Sequence, residues 1–338
     1  MILLESLVKR LEASEYDDWD SFVAESSQGT LFHTSYWLRV SGQEFRIYGY
    51  FKGSELLAGL PLVSNVSNFG VKRAYHPYLT PYLGIVFKEN KAKYVKRISD
   101  EKDICRDIAK SIKDDFGLIH IEFTPFVLDL QPFIWEGFTS GVKYTYMLEL
   151  GDLENVWNEM DARRRNGIVR AEKDGIYVEI GDDFKQVYAT VEKTFGRQNK
   201  NIHFRSAAFG YNEVLGQRNQ CKSFLTKSKS GNTIGAVYIV WDEKRSYCIL
   251  SGYDSEANHR GAYGLAMWEA IKFTKNKLGL NQFDFEGSML QPVEQAFRKF
   301  GGKLTPYYYV HWMKPYVKVL SYSIAFLKAG LRSLKVVS

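Results

Sequence analysis

Hydrophobic and polar positions along this chain form a pattern that occurs twice. The first half reads a helix signal over residues 17–26, then LFHTSYWLRVSGQ, then IYGYFKGSELLAGLPLV. The second half reads FKQVYATVEKTFG, then HFRSAAFGYNEVLGQ, then SFLTKSKSGNTIGAVYIV. Each predicts two helical stretches, a strand, a polar turn and a second strand, with Lys52-Gly53 and Ser230-Gly231 as the hairpin turns. Gly59 and Gly235 stand at matching points of the second strands. The echo continues in SIKDDFGLIHIEF and FTKNKLGLNQFDFEG, where a helix end, a glycine (Gly117, Gly279) and a strand follow in order. WEGFTSGVKYTYMLEL and FRKFGGKLTPYYYVHW then each lead through a glycine bend into an aromatic strand. Helices alternating with strands, twice in one order, predict two tandem α/β domains of one kind, related by internal duplication. The expected divisions are 1–150, 151–312 and a tail, 313–338, with the first boundary near Gly151-Asp152.

The tail has its own period. Leu320, Ile324, Leu327, Leu331 and Leu334 recur at helical spacing, and Lys318, Lys328, Arg332 and Lys335 add charge without acids. Such a helix can lie on an anionic membrane surface or pack back on the protein, and Gly330 favours packing.

Composition narrows the class. The 338 residues are 45% hydrophobic and 25% charged, ordinary globular values. Aromatics reach 15%, which calls for large cores or a ring-lined groove. A net charge of +6 suits an anionic ligand, and falls short of a nucleic-acid-binding tail, so DNA is excluded as a partner. Cys105, Cys221 and Cys248 are far apart, which fits a reducing, cytoplasmic setting better than a disulfide framework. The opening MILLESLVKR lacks the pattern of a signal peptide, and no stretch of about 18 apolar residues occurs.

Candidate chemistry gathers in the second half. SYCILSGY is a strand, and a bend holding Arg260, Gly261 and Gly264 leads from it into the helix AYGLAMWEAIKF. Backbone N–H groups at such a bend can hold an anion such as a pyrophosphate, with Arg260 as a charged donor, or the bend can be an ordinary strand-to-helix turn. In QFDFEGS, Asp284 and Glu286 share one strand face about 6.6 Å apart. Either could deprotonate an amine nucleophile; equally, either could pair with an arginine or cap the helix near Pro292. Arg163, Arg164 and Arg165 open a predicted helix and suit a phosphate-bearing substrate, or form a solvated face. Arg197 ends the next helix, beside Gln198. The aromatic, proline-rich run from Tyr75 to Tyr82, with Tyr78 at its centre, is a rigid loop that can line a groove or simply pack. No HxxxH or HExxH spacing joins the histidines, so no metal site is expected, and GxSxG, Walker and GxGxxG motifs are absent.

The run SGYDSEANHRGAYGLAMWEAIKF, then FDFEGS, then FRKFGGKLTPYYYV, resembles the second half of FemAB-like proteins of the GNAT acyltransferase superfamily. FHTSYWLRV, LPLV and RRRNGIVRAEKDGIYVEI are similar to the same family's earlier segments. The resemblance covers nearly all of residues 10–310 and is strongest over Ser251–Val310. It implies two GNAT-like domains and transfer of an acyl or aminoacyl group to an amine of a cell-envelope precursor, of peptidoglycan or polysaccharide type. The implied donor is acyl-CoA or aminoacyl-tRNA, with tRNA then a partner and no cofactor held permanently. Carried over by position, Arg163, Arg164 and Arg165 lie near a phosphate-bearing acceptor. Tyr253 becomes the substrate tyrosine, which polarises the carbonyl or protonates the leaving group. Arg298 or Lys299 meets a donor phosphate, and Glu286 or Asp284 is the acidic position. The long helical arm of some peptidoglycan members has no counterpart here, and HRGAYG only approximates the superfamily's pyrophosphate loop. The expected place of work is the cytoplasm, at the inner membrane face if the tail touches lipid. The competing expectation is a non-catalytic module that binds a glycan or nucleotide-sugar and needs the arginines but not the carboxylates.

Overall fold

The computed structural model describes residues 6–197, 200–257, 259, 261–287, 289–319 and 321. Two compact units are present, Met1–Val142 with Tyr307–Ser338, and Lys143–Pro306. The sequence reading placed the division at 150/151 and the end of the second domain at 312; the observed units divide at 142/143 and 306/307. Both divisions fall inside strands.

The first unit opens with β1 (Ser6–Arg10), α1 (Tyr16–Glu25) and α2 (Ser35–Val40). It continues through β2 (Glu44–Lys52), β3 (Glu55–Val66), β4 (Lys72–Tyr75) and β5 (Val86–Phe87). Then come α3 (Tyr94–Asp115), β6 (Leu118–Glu122), α4 (Gln131–Trp135) and the start of β7 (Thr139–Glu149). The second unit takes up β7 and adds α5 (Leu153–Glu159), α6 (Ala162–Lys173), β8 (Tyr177–Gly181), α7 (Phe184–Arg197) and α8 (Arg205–Gln217). It continues with β9 (Cys221–Lys227), β10 (Thr233–Trp241), β11 (Ser246–Tyr253), α9 (Ala262–Asn276), β12 (Gln282–Asp284) and α10 (Gln291–Arg298). The last strand, β13 (Lys303–Met313), begins in the second unit and ends in the first.

The two halves repeat one order: strand, two helices, an antiparallel hairpin, a further strand, a long helix, a strand and a short helix. β2 pairs β3 as β9 pairs β10, and Gly53 and Gly231 take positive φ at the turns. In the first unit β4 and β6 are parallel, and β6 then pairs β13. In the second unit β11 and β12 are parallel, and β12 pairs β7. Each unit has its own core. In the first, Ile104, Ile108 and Ile112 line one face of α3 and meet Ile119 and Ile121 of β6. In the second, Leu265, Ile271 and Trp268 of α9 pack with Phe224, Val237 and Phe283. The period predicted for α9 is therefore its buried face.

Among the described residues no helix is long and apolar enough to cross a membrane. The tail leucines from Leu320 onward lie outside the described residues, as do Gln198 and Arg260.

Candidate active site

The second unit opens a wedge between its two parallel strands. β11 and β12 pair only through Ser246 with Phe283 and Tyr247 with Asp284. β11 then runs on to Tyr253, while the chain after β12 stays with β7, where the Phe285 N–H donates to the Tyr146 carbonyl at 3.0 Å. The strands part from Cys248 onward.

Both predicted carboxylates stand at the root of this wedge, in unlike settings. Asp284 is buried and satisfied. It accepts the Thr145 hydroxyl at 2.6 Å and the Glu286 N–H at 2.8 Å, both on Oδ1. Glu286 has positive φ, and so does Gly287, whose Cβ position would lie 2.1 Å from the Tyr144 carbonyl oxygen. A left-handed non-glycine residue costs about 1–2 kcal/mol, so this chain reversal is held by its surroundings. It takes Glu286 off the alternation of β12 and turns its carboxyl inward. Part of the residue stays at the opening, but Oε1 is sealed and has no hydrogen-bond partner. Burial, then the neighbouring Asp284, hold this carboxyl well above the ordinary 4.5.

Other polar groups line the same wedge. Burial, then the Glu286 carboxyl, push the Cys248 thiol up. The Ser251 hydroxyl lies against Cys248 and against the Tyr263 phenol of α9, which is likewise raised by burial. Over the Tyr263 ring sits the Arg164 guanidinium at 5.6 Å, and over Phe300 at 4.7 Å. Arg164 Nε is buried without a hydrogen-bond partner, and burial lowers its pKa. The wedge thus holds a carboxyl Oε1 and a guanidinium Nε without hydrogen-bond partners, with Cys248, Ser251 and Tyr263 between the two groups. Sequence reading missed Thr145, Tyr263 and Phe300. Tyr263 lies inside HRGAYG, but nothing in the sequence marks Thr145 as the partner of Asp284.

The three arginines of α6 have three fates. Cations in a first turn oppose the helix dipole. Asp161 offsets this as the cap, accepting the Arg164 N–H at 3.1 Å. Arg165 reaches back to the last carbonyls of α5, Asn158 at 2.7 Å and Trp157 at 3.3 Å. Arg163 is exposed. Only Arg164 enters the wedge.

The glycines of the bend serve helix packing. A Cβ on Gly261 would lie 2.0 Å from the Gly167 carbonyl oxygen of α6, and one on Gly264 would lie 3.1 Å from Arg164 Cδ. The bend itself is pinned: Asp254 pairs with Lys193 at 2.5 Å, and His259 Nε2 lies 3.2 Å from Asp174. Beside it lies a cavity of about 800 Å³, lined among others by Lys193, Lys229, Asn232, Thr190 and His259.

The remaining candidates are dispersed. Tyr253 ends β11, with the Arg197 guanidinium 4.4 Å over its ring and its N–H on Thr194 at 3.1 Å. Arg298 is exposed and pairs with Glu294 at 3.3 Å, which accepts the Tyr146 hydroxyl at 2.6 Å. Lys299 follows α10, and its carbonyl accepts the Asp161 N–H at 3.0 Å. In the first unit, Tyr82 is buried against Tyr307, Thr80 accepts the Trp37 indole at 2.9 Å, and Tyr78 projects outward. On the other side of Tyr78, His76 Nε2 accepts the Glu122 N–H at 2.9 Å, so the loop is anchored at both flanks of an exposed ring. Among the described residues no cluster of His, Cys, Asp and Glu suits a metal ion.

Residues 160–291, which include the wedge, match the family model described as an acetyltransferase (GNAT) domain. The chain therefore carries a GNAT-type acyltransferase domain, a class whose co-substrate is acyl-CoA. Over nearly the whole chain the fold is similar to that of FemX and of a tandem GNAT protein. A structure of FemX is similar at 14% identity, over 90% of this chain and 96% of that one, with a TM-score of 0.67. The C-terminal domain of an Agrobacterium fabrum protein described as a lysylphosphatidylglycerol synthetase is similar at 12% identity, over 94% and 95%, with a TM-score of 0.59. A tandem GNAT protein from the clavulanic acid biosynthesis pathway is similar at 11% identity, over 91% and 98%, with a TM-score of 0.52. No curated protein matches the chain in sequence.

Proposed function

We propose that the protein transfers an acyl or aminoacyl group from a carrier to an amine of a phosphate-bearing cell-envelope precursor, with Glu286 as the proton acceptor. The observation that carries this reading is the sealed carboxyl of Glu286 at the root of the wedge, whose Oε1 has no hydrogen-bond partner. A carboxyl raised above its ordinary value is a better base near neutrality than a solvated one. The amine nitrogen attacks the acyl carbon, and the bond from that carbon to the carrier's sulfur or oxygen breaks. The amine proton passes to Glu286 and from there to the departing atom. Asp284, held by Thr145, fixes the Glu286 backbone, and Arg164 awaits an anionic group of donor or acceptor. Arg197 and Tyr253 stand at the outer end of β11, where the donor enters. The lysylphosphatidylglycerol synthetase among the similar structures supports the aminoacyl form of the reading.

The test is turnover with a panel of acyl-CoA thioesters and aminoacyl-tRNAs against amine acceptors, for wild type and Glu286→Gln. Native mass spectrometry reads donor retention in parallel. Loss of turnover with retained donor and retained fold supports the assignment. Unchanged turnover in Glu286→Gln overturns it.

A further inference from the structure

A second surface, in the first unit, has no part in this chemistry. Residues 91–97, from the loop before α3 into its first turns, are all exposed. They include Lys91, Lys93, Lys96 and Arg97 together with Tyr94 and Val95, which are 67% and 76% exposed. α3 follows Lys93 as its N-cap, without a side-chain cap and with no acid in its first turn, so cations crowd the positive end of a helix. Lys96 pairs with Asp100, and Arg97 lies 3.8 Å from Glu101. Lys91 and Lys93 have no acidic partner among the described residues.

Apolar groups extend this patch along α3 onto α4. Leu128 is 73% exposed, Trp135 58% and Ile134 47%. Leu128 shares a shallow depression with Ile98 and Lys102, and the Lys102 ammonium lies 5.1 Å over the Trp135 ring. Some of the acids nearby are covered, Asp129 by Lys102, and Glu136 by Lys113 at 3.3 Å and Arg106 at 3.7 Å, while Glu89 and Asp103 are exposed at the margin of the patch. What faces outward is tryptophan, tyrosine and branched aliphatics beside unneutralised lysines. Contiguous exposed apolar groups mark an interaction site. Aromatic rings with lysines whose stems lie along them match the interface of a bilayer with anionic headgroups. A polyanion such as RNA would leave the aliphatic groups wet.

We propose that the α3–α4 face of the first unit docks on an anionic lipid surface, with Val95, Leu128 and Trp135 entering the headgroup layer and Lys91 and Lys93 meeting lipid phosphates. The surface belongs to the first unit and the wedge to the second, and the proposal is independent of the reading of Glu286.

The test is co-sedimentation of the full chain with phosphatidylcholine vesicles, with and without phosphatidylglycerol. Binding is expected only with the anionic lipid and is expected to weaken as salt rises. A lysine near such a surface contributes about fivefold in affinity, so Lys91→Ala/Lys93→Ala should lower binding by about 25-fold. Leu128→Ser and Trp135→Ser, both exposed, should weaken it without lowering the melting temperature. Trp135→Phe should lose most of any blue shift in tryptophan emission on vesicle addition. Absence of binding, equal binding to neutral vesicles, or binding that survives both sets of changes overturns the proposal. A switch of the wild type from dimer to monomer in these variants, without vesicle binding, would make the face a protein interface instead.

Discussion

Asp115 in the first unit and Glu286 in the second are both carboxylates drawn into half-buried polar clusters of the same repeated fold. Burial alone would raise Asp115, but hydrogen bonds from Tyr48 and Arg10 outweigh it and hold the carboxyl below its ordinary value. Arg46 adds a third contact at 3.6 Å. Glu286 receives nothing on Oε1, and its nearest charge is another carboxylate. The same contrast holds for the bases: Arg46 pairs with Glu44 at 2.7 Å, while Arg164 Nε has no hydrogen-bond partner. Asp115 and Arg46 find their partners within the first unit, whereas Glu286 Oε1 and Arg164 Nε of the second are buried without one. Unsatisfied buried groups are costly and mark where a substrate supplies the missing partner.

Experiments that sharpen this contrast differ in size. The largest effect belongs to Glu286→Gln, which should lower turnover by about 10²- to 10⁴-fold in a steady-state assay, the usual range for a proton-transfer residue. Asp115→Asn should leave turnover unchanged and lower unfolding free energy by about 1.5–3 kcal/mol in a urea titration, because Arg10 and Arg46 lose a charged partner. Glu286 should also write itself into the pH dependence of stability. Its folded value lies above the unfolded one, so the unfolded state releases the proton first as pH rises past about 4.5. Wild type should therefore lose about 1.4 kcal/mol per pH unit relative to Glu286→Gln, from that point until the folded carboxyl ionises. Melting curves of both proteins across that range check it, and parallel curves would sink the assignment of a raised carboxyl. The smallest effect is expected from Arg164→Met. Relief of a buried cation offsets the loss of two cation–π contacts, so stability should shift by less than about 1 kcal/mol. Donor or acceptor binding, read by isothermal titration, should nonetheless fall about tenfold.

What the sequence made legible was local. The duplicated order of elements, the two hairpin turns and the inward face of α9 follow from periodicity within each element. The carboxylates of FDFEG could be seen as a pair, but their division of labour could not. It depends on Thr145, 139 residues away, taking Asp284, and on a positive φ that moves Glu286 off the strand's alternation. HRGAYG read as an anion cradle or an ordinary strand-to-helix turn, because glycine permits both a cradle and a close approach. The Gly167 backbone, from another helix, shows that Gly261 supplies the second. The basic run at 163–165 read as a phosphate site or a solvated face; the sequence did not divide its members, of which Arg165 reaches the last carbonyls of α5, Arg163 is exposed and Arg164 enters the wedge.

The path of the chain through the two units has a consequence for its birth on the ribosome. The second unit is one continuous stretch, 143–306, and can complete itself as it emerges. The first unit is interrupted. Its strand β6 takes its antiparallel neighbour from Tyr309–Met313, which is translated after the whole of the second unit. Until then β6 presents an open edge, a template for pairing with other nascent chains. Truncations that end before Tyr309 should therefore give a folded second unit and an aggregation-prone first one.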